Sequence, residues 1–182
     1  MASIYDTVPT WGAGSTYNKY DIVKGSDNKY YYSIIDSNAG AGNNPVSTPN
    51  LQVDWDGYIV LNGVLYPNFW WKPSYNSTID QQPTLRYNQF GNGYIQRIKE
   101  NLNSNLLRLQ LSFDNRSEKE TVSILHFLNE MGGQTSFVYT VPTIYSKSSA
   151  NLSTKFICPT WSVNFASYNN YSINLELIEV PI

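Results

Sequence analysis

Residues capable of proton transfer, nucleophilic attack or metal ligation are few in this sequence and lie far apart. His126 is the single histidine. No cysteine or second histidine sits near it, so neither a zinc cluster nor a catalytic relay assembles around it locally. Cys158, the single cysteine, precedes Pro159 in an alternating pattern where a thiol serves as a small buried hydrophobe. With no second cysteine it forms no internal disulfide. Asp54 and Asp56 could supply the two carboxylates of a sugar hydrolase, but Asp-x-Asp in a loop is first of all turn chemistry. Gly91-Asn92-Gly93 lacks the third glycine and the following helix of a dinucleotide fingerprint, and reads as a tight turn. These patterns predict no catalytic residue, no metal and no cofactor, hence a protein that is not an enzyme.

The composition points to packing instead. Aromatic residues make up 15% of the 182 residues, with 15 Tyr and 5 Trp, while charged residues reach only 14%, against roughly 25% in an average globular chain. Aromatic density on a neutral surface has two physical uses: stacking on sugar rings, or filling contacts between subunits. The formal charge of -2 and the lack of a Lys/Arg run argue against stable nucleic-acid binding and against anionic membranes. Apolar stretches such as Leu106–Leu111 fall far short of the roughly 20 residues of a bilayer span, and the start of the chain has no charged-then-apolar leader. The expectation is a soluble product without an export signal.

Strand signals dominate the elements that would position these residues. Leu107, Leu109, Leu111 and Phe113 alternate with polar neighbours, as do Tyr171, Ile173, Leu175 and Leu177, the period of a strand with one buried face. Tyr58–Leu61, Asn62-Gly63 and Val64–Tyr66 predict a hairpin, because a type I′ turn needs positive φ at both central residues; Pro67 ends its second arm. One helix is predicted over 118–131: Ser117 and Glu120 form a capping box, Val122, Leu125, Leu128 and Met131 recur at helical spacing, and Gly132-Gly133 stops the run. Short β pieces follow around Phe137–Thr140 and Lys155–Ser162, with Pro142 and a polar Ser146–Ser153 loop between them. The fold class is mainly β: a β sandwich or barrel with one packed α-helix, preceded by a small all-β module.

That module spans residues 1–57. Tyr17–Lys24 and Lys29–Ile35 read as a hairpin about Gly25–Asn28, followed by a Gly/Asn/Pro segment to Asn50. Aliphatic residues are scarce, so Trp11, Trp55 and the tyrosines must form its core. Residues 58–67 are a hairpin or linker, and 68–182 form the main β domain. The Trp70-Trp71 pair beside this boundary suits a domain or subunit contact.

From Phe69 onward the order of motifs resembles the minor tail protein M family of lambda-type long-tailed phages. The stretches that carry the likeness are Phe69-Trp70-Trp71-Lys72; Phe90-Gly91-Asn92-Gly93-Tyr94-Ile95-Gln96-Arg97; Leu102–Leu106; the Glu120–Met131 helix with Gly132-Gly133; Ser136-Phe137-Val138; and Cys158–Ser162. The Thr143–Phe156 connection is more elaborate than the family's usual one. The resemblance implies a non-enzymatic virion part, assembled in the host cytoplasm: a hexameric ring at the distal end of the tail tube. It would contact the tube protein on one face and the tail-tip hub on the other, and line the channel that DNA traverses. Family-motif and interface candidates are then Trp70, Trp71, Phe90, Gly91, Gly93, Tyr94, Gln96, Arg97, Gly132, Gly133 and Phe137.

The first 57 residues resemble the small chitin-binding modules of carbohydrate-binding families 5 and 12, through Trp11, Ser15-Thr16-Tyr17, Tyr20–Val23, Asp27–Tyr31, Pro45 and Trp55. The tryptophan pair those modules stack on chitin falls here near Ile35 and Asp36. Trp11, Tyr30, Tyr32 and Trp55 are the candidates for a glycan surface, and an adhesin that helps a virion hold its host is the alternative function. A wall hydrolase is a third, weaker for want of a carboxylate constellation.

Overall fold

The computed structural model describes residues 7–75, 77–81, 83, 85–99, 105–141 and 153–180. The expectations for Pro142, for most of the Ser146–Ser153 loop and for Leu102-Asn103-Ser104 lie outside these residues. Five short strands open the chain: β1 (Thr16–Tyr17), β2 (Ile22–Lys24), β3 (Tyr30–Ser33), β4 (Asn38–Ala39) and β5 (Trp55–Asp56). β2, β3 and β5 form one antiparallel sheet, and β1 pairs with β4. Tyr17, Val23, Tyr31 and Trp55 are its buried core, joined by Trp11, Val46, Leu51 and Tyr58. Tyr17 meets Trp55 edge-on at 5.3 Å, and the Trp55 indole N–H donates to the Asn43 carbonyl at 2.7 Å. The expected Tyr17–Lys24 strand is broken, however. The Asn18 N–H donates to the Asp21 carboxylate and Tyr20 takes φ 70°, so the chain turns and Tyr17 pairs with Asn38 instead.

β6 (Tyr58–Leu61) and β7 (Val64–Pro67) form the hairpin with Asn62 and Gly63 at φ 51° and 78°, as the turn requires. Further along lie β8 (Thr78–Gln81), β9 (Leu85–Gln89), β10 (Ile95–Lys99), β11 (Leu107–Arg116), α1 (Glu118–Met131), β12 (Phe137–Thr140), β13 (Ser153–Ser167) and β14 (Asn170–Glu179). A five-stranded antiparallel sheet runs in the order β12-β13-β14-β11-β8 and curls as a half-barrel, with α1 packed against one face. Among the described residues, β9 and β10 pair only with each other. The fold is thus mainly β with one packed helix. β13 is longer at both ends than the sequence suggests, because its far half continues with β14 as a hairpin beyond the core.

Leu107, Leu109, Leu111 and Phe113 point into the core with Ile173, Leu175 and Leu177, opposite Phe69, Trp71, Phe127 and Phe137. The Ser117 hydroxyl accepts from the Glu120 N–H, and Gly132 closes α1 at φ 59°. The second half of the expected capping box is displaced: the Glu120 carboxylate pairs with Arg116 at 3.0 Å, where both partners carry charge. The buried helix face also differs. Ile124, Phe127 and Leu128 are fully buried, whereas Val122 and Leu125 are only partly so, because α1 is covered by the sheet on one side and by the N-terminal unit on another. Ser117→Ala is expected to lower stability by about 1 kcal/mol in urea unfolding, the usual cost of a lost N-cap.

Candidate assembly surface

The most exposed element among the described residues is the β9–β10 hairpin. Register pairs Gln89 with Ile95, Tyr87 with Arg97 and Leu85 with Lys99 on one face, and Asn88 with Gln96 and Arg86 with Ile98 on the other. At its tip Gly91-Asn92-Gly93 makes a tight turn with Asn92 at φ 68° and Gly93 at φ 78°, closed by the Phe90 N–H donating to the Tyr94 carbonyl. That turn sets the Phe90 and Tyr94 rings 5.9 Å apart. Both rings face solvent, at 51% and 66% exposure. Phe90, Gly91, Gly93, Tyr94, Gln96 and Arg97 therefore come together on one arm.

The remaining motif residues serve the interior. Phe137 is buried against Phe69 and Phe127, and Gly132 and Gly133 end α1, with Gly133 close under the Cys158 carbonyl. Trp71 is buried, while Trp70 is half-buried and stacks on Trp71 at 4.9 Å and on Tyr20 at 5.8 Å. Tyr32 meets Trp71 edge-on at 5.1 Å, and its hydroxyl shares a 3.0 Å hydrogen bond with His126 Nδ1. Lys119 pairs with Asp21 at 2.8 Å, and Asn68 Nδ2 donates to Asp56 at 2.8 Å. The Trp pair, the helix and the N-terminal unit thus share one aromatic seam.

This seam also determines what the glycan candidates can touch. Trp55 and Tyr32 are buried, at 0% and 1% exposure, so their faces are covered by protein. Trp11 and Tyr30 are half-buried, and Tyr30 lies edge-on to His126 at 4.7 Å. Among the described residues of this unit, no aromatic ring is more than partly exposed. The structure does not bring the four rings together as an open platform.

The residues considered for chemistry are also enclosed. Burial pushes His126 down to about 4 and keeps it neutral, and it pushes the Cys158 thiol up to about 12. Asp56 is buried and raised to about 6 by desolvation, against the lowering effect of bonds from Asn68 and the Gly57 N–H. Among the described residues no three His, Cys, Asp or Glu side chains gather as a metal site, and no helix is long and apolar enough to cross a membrane.

A feature absent from the sequence reading is a shallow groove of about 400 Å³ on the sheet face opposite α1. Register puts Gln110 between Glu176 and Thr78, and Asn174 between Ser112 and Ser162, on that face. Its lining mixes hydroxyl and amide side chains with Trp161, Leu111, Leu175 and the Glu176 carboxylate, and Arg108 pairs with Glu176 at 3.7 Å. The polar half of the β11 and β14 alternation was the available signal. Likewise, Arg86, Tyr87, Ile98 and Lys99 were missed as arm residues, although Leu85–Lys99 contains no acid.

An exposed apolar arm on a firmly packed β body belongs to a protein made to be joined to others. The chain is a member of the phage minor tail protein family, whose model matches residues 67–180, and that family is structural. Over 94 residues it is 33% identical to "Tail tip protein M" of Escherichia phage lambda, an alignment that spans 52% of this chain and 80% of that protein. The match begins at the end of the β6–β7 hairpin, so the first 66 residues lie outside it.

Proposed function

We propose that this chain is a non-enzymatic component of a phage tail tip, assembled in the host cytoplasm. Six copies close into a ring at the distal end of the tail tube, between the tube protein and the hub. The observation that carries this reading is the likeness to "Tail tip protein M" over four-fifths of that protein's length. The polar sheet face suits the wall of a DNA channel. Its groove is lined by hydroxyls, amides, the Trp161 ring and the Glu176 carboxylate, and Arg108 beside it pairs with Glu176; each added cation would bring counterion-release affinity that slows a passing duplex. The N-terminal unit rides on the outside as a packed extension of the body, its rings turned inward onto α1 and the Trp pair.

Cryo-microscopy of assembled tails tests this. The expected density is a closed ring of this chain directly below the tube, with Gln110, Ser112 and Asn174 facing the bore. Copies standing as separate spikes, or a bore lined by another face, would overturn the reading.

A further inference from the structure

The β9–β10 hairpin stands apart from the core, and a two-stranded hairpin on its own is marginal in water. It nevertheless exposes Tyr87, Phe90, Tyr94, Ile95 and Ile98, five of the twelve strongly exposed large hydrophobic side chains among the described residues. Such a concentration on one arm marks a surface that another protein covers. Among the described residues nothing of its own body covers it: every residue from Phe90 to Lys99 is exposed.

Charge identifies the partner. Leu85–Lys99 holds Arg86, Arg97 and Lys99 and no acid. The rest of the chain carries nine cations against fourteen acids. The cations are interleaved with the apolar residues: one face of the arm presents Leu85, Tyr87 and Ile95 together with Arg97 and Lys99. A surface that is apolar and positive at once is complementary to a partner of negative net charge, and the remainder of this same chain carries an excess of acids over cations. An arm that leaves its own body and docks on a different patch of an identical body is a heterologous contact, which closes into a ring when repeated by rotation.

We infer that the Leu85–Lys99 hairpin is the arm that holds neighbouring copies together, its partner being the net-acidic body of a second copy of this chain. This rests on the ring reading above and names the element that closes the ring. The test places the photo-crosslinker p-benzoylphenylalanine at position 94 in the full chain and irradiates assembled tails. The expected product is a covalent dimer of the 20.7 kDa chain, with a ladder of higher multiples, whose linked peptide comes from this chain. Cross-linking only to another tail protein, or none in tails that contain the chain, overturns the inference. A ring still visible by cryo-microscopy in those tails would leave the ring reading standing. In a second arm, R97E/K99E is expected to cut the amount of chain in tails by about tenfold, because reversing contact charges turns attraction to repulsion. The melting temperature of the free chain should not move, as both residues are exposed. Unchanged incorporation overturns the inference as well, and if the variant fails to fold the cross-link decides.

Discussion

Trp71→Ala is expected to destabilise the whole chain by about 3–5 kcal/mol, the range for removing a large buried aromatic. Trp71 is 1% exposed and lies within 5.7 Å, ring centre to ring centre, of Tyr32, Phe69, Trp70 and Phe127. These rings come from β3, from the 69–71 segment and from α1, so a single cavity would loosen the N-terminal unit and the main body together. The indole N–H supplies an internal control. It is buried without a hydrogen-bond partner, as is that of Trp70, and leaving such a donor unpaired costs about 1–3 kcal/mol. Trp71→Phe keeps a ring in the site and removes the orphaned donor, so it should cost far less than alanine. Urea unfolding followed by tryptophan fluorescence and by circular dichroism checks both. The expected result is one cooperative transition on both probes, with the alanine midpoint well below that of phenylalanine. Equal midpoints for the two variants would show that the ring does not hold the seam. Two separate transitions in the unaltered chain would show that the N-terminal unit and the body do not share a core.

The features legible in the sequence are those fixed by short-range chemistry. Asn62-Gly63 specifies its turn because few other pairs accept positive φ twice, and β11 and β14 follow from strict alternation over residues 107–114 and 171–177. Ser117 caps α1 because the acceptor and the amide it serves are three residues apart. Features that depend on tertiary partners, or on competition between two local ones, were not legible. Glu120 has a local partner in the capping box and a charged one at Arg116, and the charged one wins. Ile124, Phe127 and Leu128 form the buried stripe because α1 is roofed by a unit whose contact residue Tyr32 lies 94 positions from His126. The same distance explains the glycan rings. Residue type marks Tyr32 and Trp55 as stacking surfaces, but only the tertiary fold reveals that protein already occupies their faces. At the arm, the Phe90–Arg97 motif could be read directly, whereas its isolation from the core could not, since alternation looks alike in a covered strand and in an uncovered one.

The two titrating groups along the aromatic seam should oppose each other, and single substitutions should expose the hidden slopes. Asp56 is raised from 3.8 to about 6 by burial. The folded chain therefore binds its proton more tightly than the unfolded chain, and stability falls as pH rises from about 4 through 6. His126 is lowered from 6.5 to about 4, also by burial. Its contribution runs the other way: it is intact above 6.5 and is lost as pH falls through 4. Each shift of about two units is worth on the order of 3 kcal/mol, so between pH 7 and pH 4 the two nearly cancel. Asp56→Asn keeps an oxygen to accept from Asn68 and the Gly57 N–H but cannot ionise. It should be more stable than the unaltered chain at pH 7, and it should lose stability steadily on acidification because His126 acts alone. His126→Asn keeps a hydrogen-bonding group for the Tyr32 hydroxyl and removes the ring. Its absolute stability should drop through lost packing, but its slope should reverse, with stability rising from pH 7 to pH 4. Unfolding free energies measured in urea at pH 7, 5.5 and 4 decide the matter through slopes, which lost packing does not imitate. If all three proteins run parallel across that range, the buried carboxyl and imidazole do not titrate as their surroundings dictate.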